Sequence, residues 1–229
     1  MLPGTGFALT LQADNDDLWE AMQRHRFVAD ILADRLSPDV FRRYLILEHG
    51  FVETAILIFG NAMLKAPAFP QRRRLIGVLY SLAEDQLTYF ARVFEVLGLE
   101  PQSAARPIPD AARQFNDGML AIAERGTYAD IIAIMLAAEW MYGSWCLRAA
   151  ETAITDAELR HWVALHAEAG FLDGVNWLMS EINREAAGLG DAGRQRLSRL
   201  FREALQLEIS FHEAAYEDWP IPVLKGARR

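Results

Sequence analysis

Three glutamates occupy positions where a helical pattern calls for apolar side chains. Glu48 falls in the middle of a stripe formed by Phe41, Leu45, Val52, Ile56 and Phe59. Glu139 shares a helical face with Ile132, Met135, Tyr142 and Cys146, three residues ahead of the tyrosine. Glu208 interrupts the face made by Leu197, Phe201, Phe211 and Ala215. His166 adds an imidazole one turn after Trp162, on a face continued by Gly170. Taking a carboxylate out of water is costly unless it is paired, so retaining one in an apolar stripe has a structural or a chemical reason. Two such groups in one pocket repel each other and are both desolvated, which raises one pKa well above the other and leaves an acid and a base at the same pH. The chemistry this permits is general acid–base catalysis, with one of Glu139 and Glu208 taking a proton and the other giving one. Pairing with an arginine or capping a bend explains any single glutamate equally well, and explains three together less well. Glu53 and Glu84 read as rim charges, and His49 and His212 as surface or partner-helix residues. Trp140, Trp145, Trp162 and Trp177 could stack on a planar ligand or simply fill a core, and Tyr142 is the ring most closely tied to the glutamates.

The elements that must position these groups are helices. Apolar residues recur at helical spacing in every long segment, with no alternating window bounded by turn residues, so the chain is expected to be all-α. The first helix is expected over 15–36, with Leu18, Met22, Phe27 and Ile31 inward. Ser37, Pro38 and Asp39 then form a helix start, the serine side chain accepting free N–H groups, and the second helix runs to about Lys65. Pro67 and Pro70 bracket a connection to a third helix that Gly98 stops. A loop over 100–109, a weaker fourth helix over 110–123 and a strongly apolar fifth over 127–152, capped by Thr127 with Asp130, follow. Thr155 with Glu158 reads as a capping box opening a sixth stretch to 187, bent at Gly170, and a last helix ends near Glu217. Residues 219–229 form a non-helical tail. No linker divides the chain, so one domain spanning 1–229 is expected.

Charge and composition narrow the partners. A formal charge of -8 argues against nucleic acid and anionic lipid, which need clustered Lys and Arg. Arg72, Arg73 and Arg74 read as a solvated helix start. The one cysteine, Cys146, excludes an internal disulfide and fits the cytoplasm. Every longer apolar run carries a charge within a membrane-spanning length, and the first residues lack a basic-then-apolar leader, so neither membrane span nor signal peptide is expected.

The run Leu18-Trp-Glu-Ala-Met-Gln-Arg-His-Arg-Phe-Val28 followed by Leu36-Ser-Pro-Asp-Val-Phe-Arg-Arg-Tyr-Leu45 resembles the opening of TenA/thiaminase II proteins. Glu84, Phe94-Glu-Val-Leu-Gly98, Ala138-Glu-Trp-Met-Tyr142, Trp162-Val-Ala-Leu-His166, Trp177-Leu and Leu207-Glu-Ile-Ser-Phe211 follow in that family's order, over nearly the whole chain. The resemblance implies a haem-oxygenase-like bundle of about seven or eight helices without haem or other cofactor, a homotetramer or dimer, and hydrolysis of an aminopyrimidine or formylaminopyrimidine in thiamine salvage. By position it gives Glu48 the grip on the pyrimidine amine and Glu208 the role of catalytic acid. Phe51 matches an aromatic that is usually tyrosine, Tyr142 the tyrosine after the nucleophile motif, Phe115 the neighbourhood of another pocket tyrosine, and His166 a frequent tyrosine. With Trp140, these are the expected substrate-binding residues; no metal ligand is among them. The family's nucleophilic cysteine belongs near Ala138-Glu139, where this chain has none. Cys146 lies about 10 Å of helix rise beyond Glu139, too far to take its place. The sequence therefore resembles a branch that carries glutamate in this part of the pocket and acts on formylated or free aminomethyl-pyrimidines.

Two other readings use the same residues. A haem-oxygenase-like oxidase, cofactorless or holding two irons between Glu48, Glu139, His166, Glu208 and His212, matches the residue types. Di-iron helices, however, present a paired Glu-x-x-His, and Glu208 to His212 is one residue longer. A non-catalytic pyrimidine-binding regulator accords with the absent cysteine.

Overall fold

The structure, a computed structural model, describes residues 3–100 and 108–223. The central part of the expected 100–109 loop and the end of the tail lie outside those residues. Eleven α-helices are described: α1 Phe7–Asp14, α2 Asp16–Gln23, α3 Arg26–Leu32, α4 Pro38–Lys65, α5 Phe69–Ser81, α6 Leu87–Leu97, α7 Asp110–Arg125, α8 Tyr128–Ala149, α9 Ala157–Ala167, α10 Ala169–Ala187 and α11 Asp191–Ala214. No strand occurs among the described residues beyond one isolated bridge, Leu99 to Val223, in which the Glu100 N–H donates to Pro222 O at 2.9 Å. The expected non-helical tail thus has a role: its first part is tied to the end of α6.

The helices outnumber the seven or eight expected because α1 precedes the first expected run, two long runs are broken and a third is interrupted by a π-helical turn. The run expected over 15–36 is two helices. His25 leaves the helical region, its Nδ1 accepts the Phe27 N–H at 3.2 Å, and the imidazole so becomes the N-cap of α3. The 69–97 run is continuous but passes through a π-helical turn, Leu82–Gln86, before Gly98 ends it with φ of 65°, the left-handed conformation that glycine takes without strain. The 155–187 run breaks at Glu168, close to the expected bend. Two caps differ in chemistry. Ser37 sits at the N-cap of α4, with Pro38 first in the helix, yet its side chain makes no capping bond. The cap of α9 is Asp156, which accepts the Leu159 N–H at 2.9 Å, while Thr155 binds Asp34 on both its N–H and its hydroxyl.

The chain forms two compact units, Met1–Leu36 with Ala129–Ile209 and Ser37–Tyr128 with Ser210–Arg229. In the first, α1 packs on α10 and α2, and α9 on α10. Asn183 of α10 secures the start of α1, accepting the Ala8 N–H at 3.0 Å and donating to Thr5 O at 3.0 Å. Its centre is α8, in which every residue from Ile131 to Ala138 is buried, as are Trp140, Met141, Trp145 and Cys146. In the second unit α4 packs against α5, α6 and α7. By length and composition α4 could cross a membrane. Here Val40, Phe41, Tyr44, Leu45, Leu47, Val52, Ile58 and Phe59 make it a core helix.

Lys65 closes that unit at one corner. Its Nζ donates to Ala123 O at 2.5 Å, Glu124 O at 2.8 Å and Gly126 O at 2.9 Å, using all three donors on carbonyls that the end of α7 leaves unpaired. Lys65→Met keeps the apolar stem and removes the ammonium, so it is expected to lower stability by ~2 kcal/mol in urea denaturation.

Candidate functional site

Glu139 stands on α8, one turn before Tyr142, in the most thoroughly buried helix of its unit. Among the described residues its carboxyl has neither a hydrogen bond nor an ion pair, and burial alone pushes its pKa up from 4.5 to about 7. The residue as a whole is only partly covered, while its carboxyl has lost most of its hydration. A carboxyl in that state is divided between acid and base near neutral pH.

The same unit brings two of the expected binding residues together. The ring of Tyr142 lies 5.4 Å from that of His166, tilted by 32°. Trp162 lies 4.3 Å from His166 and 6.0 Å from Tyr142, and Trp145 stacks on Trp162 at 5.6 Å. Phe171, at the start of α10, closes the far side of His166 at 5.0 Å. His166 Nδ1 is 2.9 Å from Trp162 O; since a carbonyl only accepts, Nδ1 carries the proton and donates it. Burial among these rings pushes the imidazole pKa down to about 4, so His166 is neutral at physiological pH. Gly143 lets α10 approach at this point, where a Cβ would come 3.2 Å from Leu172.

Glu208, on α11 in the same unit, is 1% exposed. Trp140 is placed otherwise. Fully buried, it packs against Trp19 at 4.8 Å and against Gly4, where a Cβ would collide with its ring. Two helical residues separate Trp140 from Tyr142, a rotation of roughly 200°, which sets the indole apart from the Tyr142–His166 cluster. Cys146 is fully buried, in keeping with a core role.

In the other unit the two expected aromatics meet. The rings of Phe51 and Phe115 are 4.6 Å apart, and Phe211 joins them at 4.6 Å from Phe115 and 6.5 Å from Phe51. Glu48 is half-buried one turn before Phe51 on α4. His212, expected at the surface or on a partner helix, is fully buried, its ring 5.4 Å from that of Tyr44. Phe171 and Phe211 were not singled out by sequence as neighbours of the expected site residues. Phe211 was legible only as part of an apolar face, and Phe171 only as the aromatic that follows the Gly170 bend. Among the described residues no group of three or more His, Cys, Asp or Glu side chains is placed to hold a metal ion.

Residues 12–218 match the TENA/THI-4/PQQC family. The chain belongs to that family. It is similar to a protein of Halalkalibacterium halodurans named aminopyrimidine aminohydrolase, 23% identical over 215 residues that cover 93% of this chain and 96% of the relative. A protein of the same name from Helicobacter pylori is 21% identical over 212 residues, 90% of this chain and 97% of the relative. Among solved structures, a TenA homologue from Pyrococcus furiosus superposes with a TM-score of 0.84 at 20% identity, covering 92% of this chain and all of the other. A TenA family transcription regulator from a Silicibacter species does so with 0.83 at 19%, covering 93% and 98%. These likenesses show the fold, the haem-oxygenase-like all-α architecture of TenA proteins.

The unpaired carboxyl has a signature that does not depend on function. Between pH 4.5 and about 7 the unfolded chain has lost the Glu139 proton and the folded chain retains it. Stability owed to this group therefore declines as pH rises through that window, and the penalty is complete above it. Glu139→Gln is expected to raise stability at pH 8 by ~1–2 kcal/mol and to leave it nearly unchanged at pH 4.5, in paired thermal melts across that range.

Proposed function

We propose that this chain hydrolyses an aminopyrimidine, free or formylated, with a bound water as nucleophile and Glu139 and Glu208 as the acid–base pair. One carboxylate takes a proton from water as the oxygen bonds to the carbon bearing the departing nitrogen. The C–N bond breaks, and the other carboxyl supplies the proton with which that nitrogen leaves. The observation that carries this reading is the desolvated, unpartnered carboxyl of Glu139, held near neutrality beside Tyr142. Two relatives of nearly the same length, both named aminopyrimidine aminohydrolase, support the substrate class. Glu139 occupies the stretch where the family's nucleophilic cysteine belongs, which supports the reading of a glutamate-bearing branch that acts on formylated or free aminomethyl-pyrimidines rather than on thiamine. Tyr142 and His166 present aromatic surface to a planar ring, and Glu48, Phe51 and Phe115 keep the binding roles that the resemblance implies. The scheme needs no cofactor and suits the reducing cytoplasm.

Ammonia and formate release from a panel of aminopyrimidines, formylaminopyrimidines and thiamine tests the proposal. Wild type is expected to release product from a pyrimidine, with Glu139→Gln and Glu208→Gln each lowering kcat by at least ~100-fold. Unchanged turnover in Glu208→Gln removes the paired mechanism. Pyrimidine binding without turnover in wild type makes the chain a binder. The pH profile assigns the roles: a limb rising through about 7 makes Glu139 the base, one falling there makes it the acid.

The reading includes a homo-oligomer, a tetramer or dimer. Exposed apolar side chains on α4 and α5, Leu57, Leu64, Phe69, Ile76 and Tyr80, support it. Light scattering after gel filtration is expected to give a multiple of 25.8 kDa, reduced in the double variant Phe69→Glu, Tyr80→Glu.

A further inference from the structure

Two helices of the first unit face each other with hydrogen-bond donors that nothing among the described residues satisfies. On α2, Trp19 and Gln23 are one turn apart; on α8, Trp140, Ser144 and Arg148 follow at the same spacing. Trp19 packs on Trp140, with ring centroids 4.8 Å apart. At the other end the Arg148 Nη2 donates to Gln23 Oε1 at 2.9 Å and to Gln23 O at 3.1 Å. Ser144 lies between these two contacts. Four side-chain atoms along this seam are buried without a partner among the described residues: Trp19 Nε1, Gln23 Nε2, Ser144 Oγ and Arg148 Nε. Trp19 and Ser144 are fully buried, and Gln23 is 4% exposed.

The chemistry of the four is one-sided. An indole N–H, an amide NH2 and a guanidinium N–H can only donate, and the serine hydroxyl can donate as well. The guanidinium receives carbonyl oxygens alone, so its Oε1 contact fixes which end of the Gln23 amide faces it and turns the NH2 group elsewhere. Arg148 is half-buried and has no carboxylate partner among the described residues. Each orphaned donor carries a desolvation cost, and native interiors leave few of them. A water could accept from two but would bring two protons of its own to a seam short of acceptors; an anion brings only acceptors and balances the arginine.

We infer that the seam between α2 and α8, lined by Trp19, Gln23, Ser144 and Arg148, binds a small monovalent anion of halide or formate size. Arg148, partly reached by solvent, supplies the charge and the route of exchange, and Ser144 supplies a hydroxyl donor between the two ends. The site is independent of the hydrolytic reading: it lies on the side of α8 that carries Trp140, whereas the Tyr142–His166 cluster occupies a different face.

The full-length protein is melted at constant ionic strength while sodium gluconate is replaced stepwise by sodium chloride, sodium bromide or sodium formate. Wild type is expected to gain about 3 °C at tenfold excess over Kd, saturably, and the preferred ion tells halide from carboxylate. Arg148→Met is expected to abolish the gain and Ser144→Ala to reduce it, while Arg73→Gln, an exposed change on α5, leaves it intact. Should Arg148→Met fail to fold, crystals of wild type grown in bromide decide: an anomalous peak bounded by Gln23, Ser144 and Arg148 supports the site. A melting temperature indifferent to the anion, or a density there that is water alone, overturns it.

Discussion

The structure turns on enclosing α8. A helix apolar on every side cannot rest on a surface and has to be surrounded, and from Ile131 to Ala138 no residue of α8 is more than 4% exposed. That enclosure explains the Glu139 carboxyl: any charged group carried on such a helix is stripped of water, and only a partner would restore its ordinary pKa. None is supplied among the described residues, so the proton stays on to about 7. The arrangement is stable because the apolar side chains of the same helix outweigh one strained carboxyl, and it is chemically useful because that carboxyl is strained.

Polar groups at the ends of α8 are treated differently. Asp130, 1% exposed, accepts from Arg196 of α11 at 2.6 Å, a charged pair that ties the start of the glutamate-bearing helix to the helix that carries Glu208. Arg148, at the other end, reaches Gln23 of α2. The middle of the helix is therefore held by packing and its ends by directed bonds, which is the division expected when a central group must be placed without being neutralised.

Much of the fold was legible because its signals are local. Proline at the start of α4, glycine after α6 and the strong apolarity of 127–152 each report a preference of a few neighbouring residues, and each marks a real boundary or a buried helix. The periodicity that flagged Glu139 and Glu208 works for the same reason, since an acidic residue in an apolar stripe is visible without knowing what covers it. What escaped depends on partners remote in sequence or on unusual caps. A histidine serves as N-cap of α3 where serine or aspartate is the usual sign, and Thr155 is diverted to Asp34, 121 residues away. The π-helical turn leaves no periodic trace. Trp140 and Tyr142 leave α8 in different directions, which a shared helix does not reveal. Ser144 drew no attention, because a small hydroxyl in an apolar helix disturbs no stripe.

The solitary thiol of Cys146 gives the molecule a built-in clock. It is fully buried on α8, two turns beyond Glu139, so a thiol reagent reaches it only when that helix is released. The rate of labelling then counts the openings of the most enclosed segment in the chain, and with a single cysteine the count needs no correction for other sites.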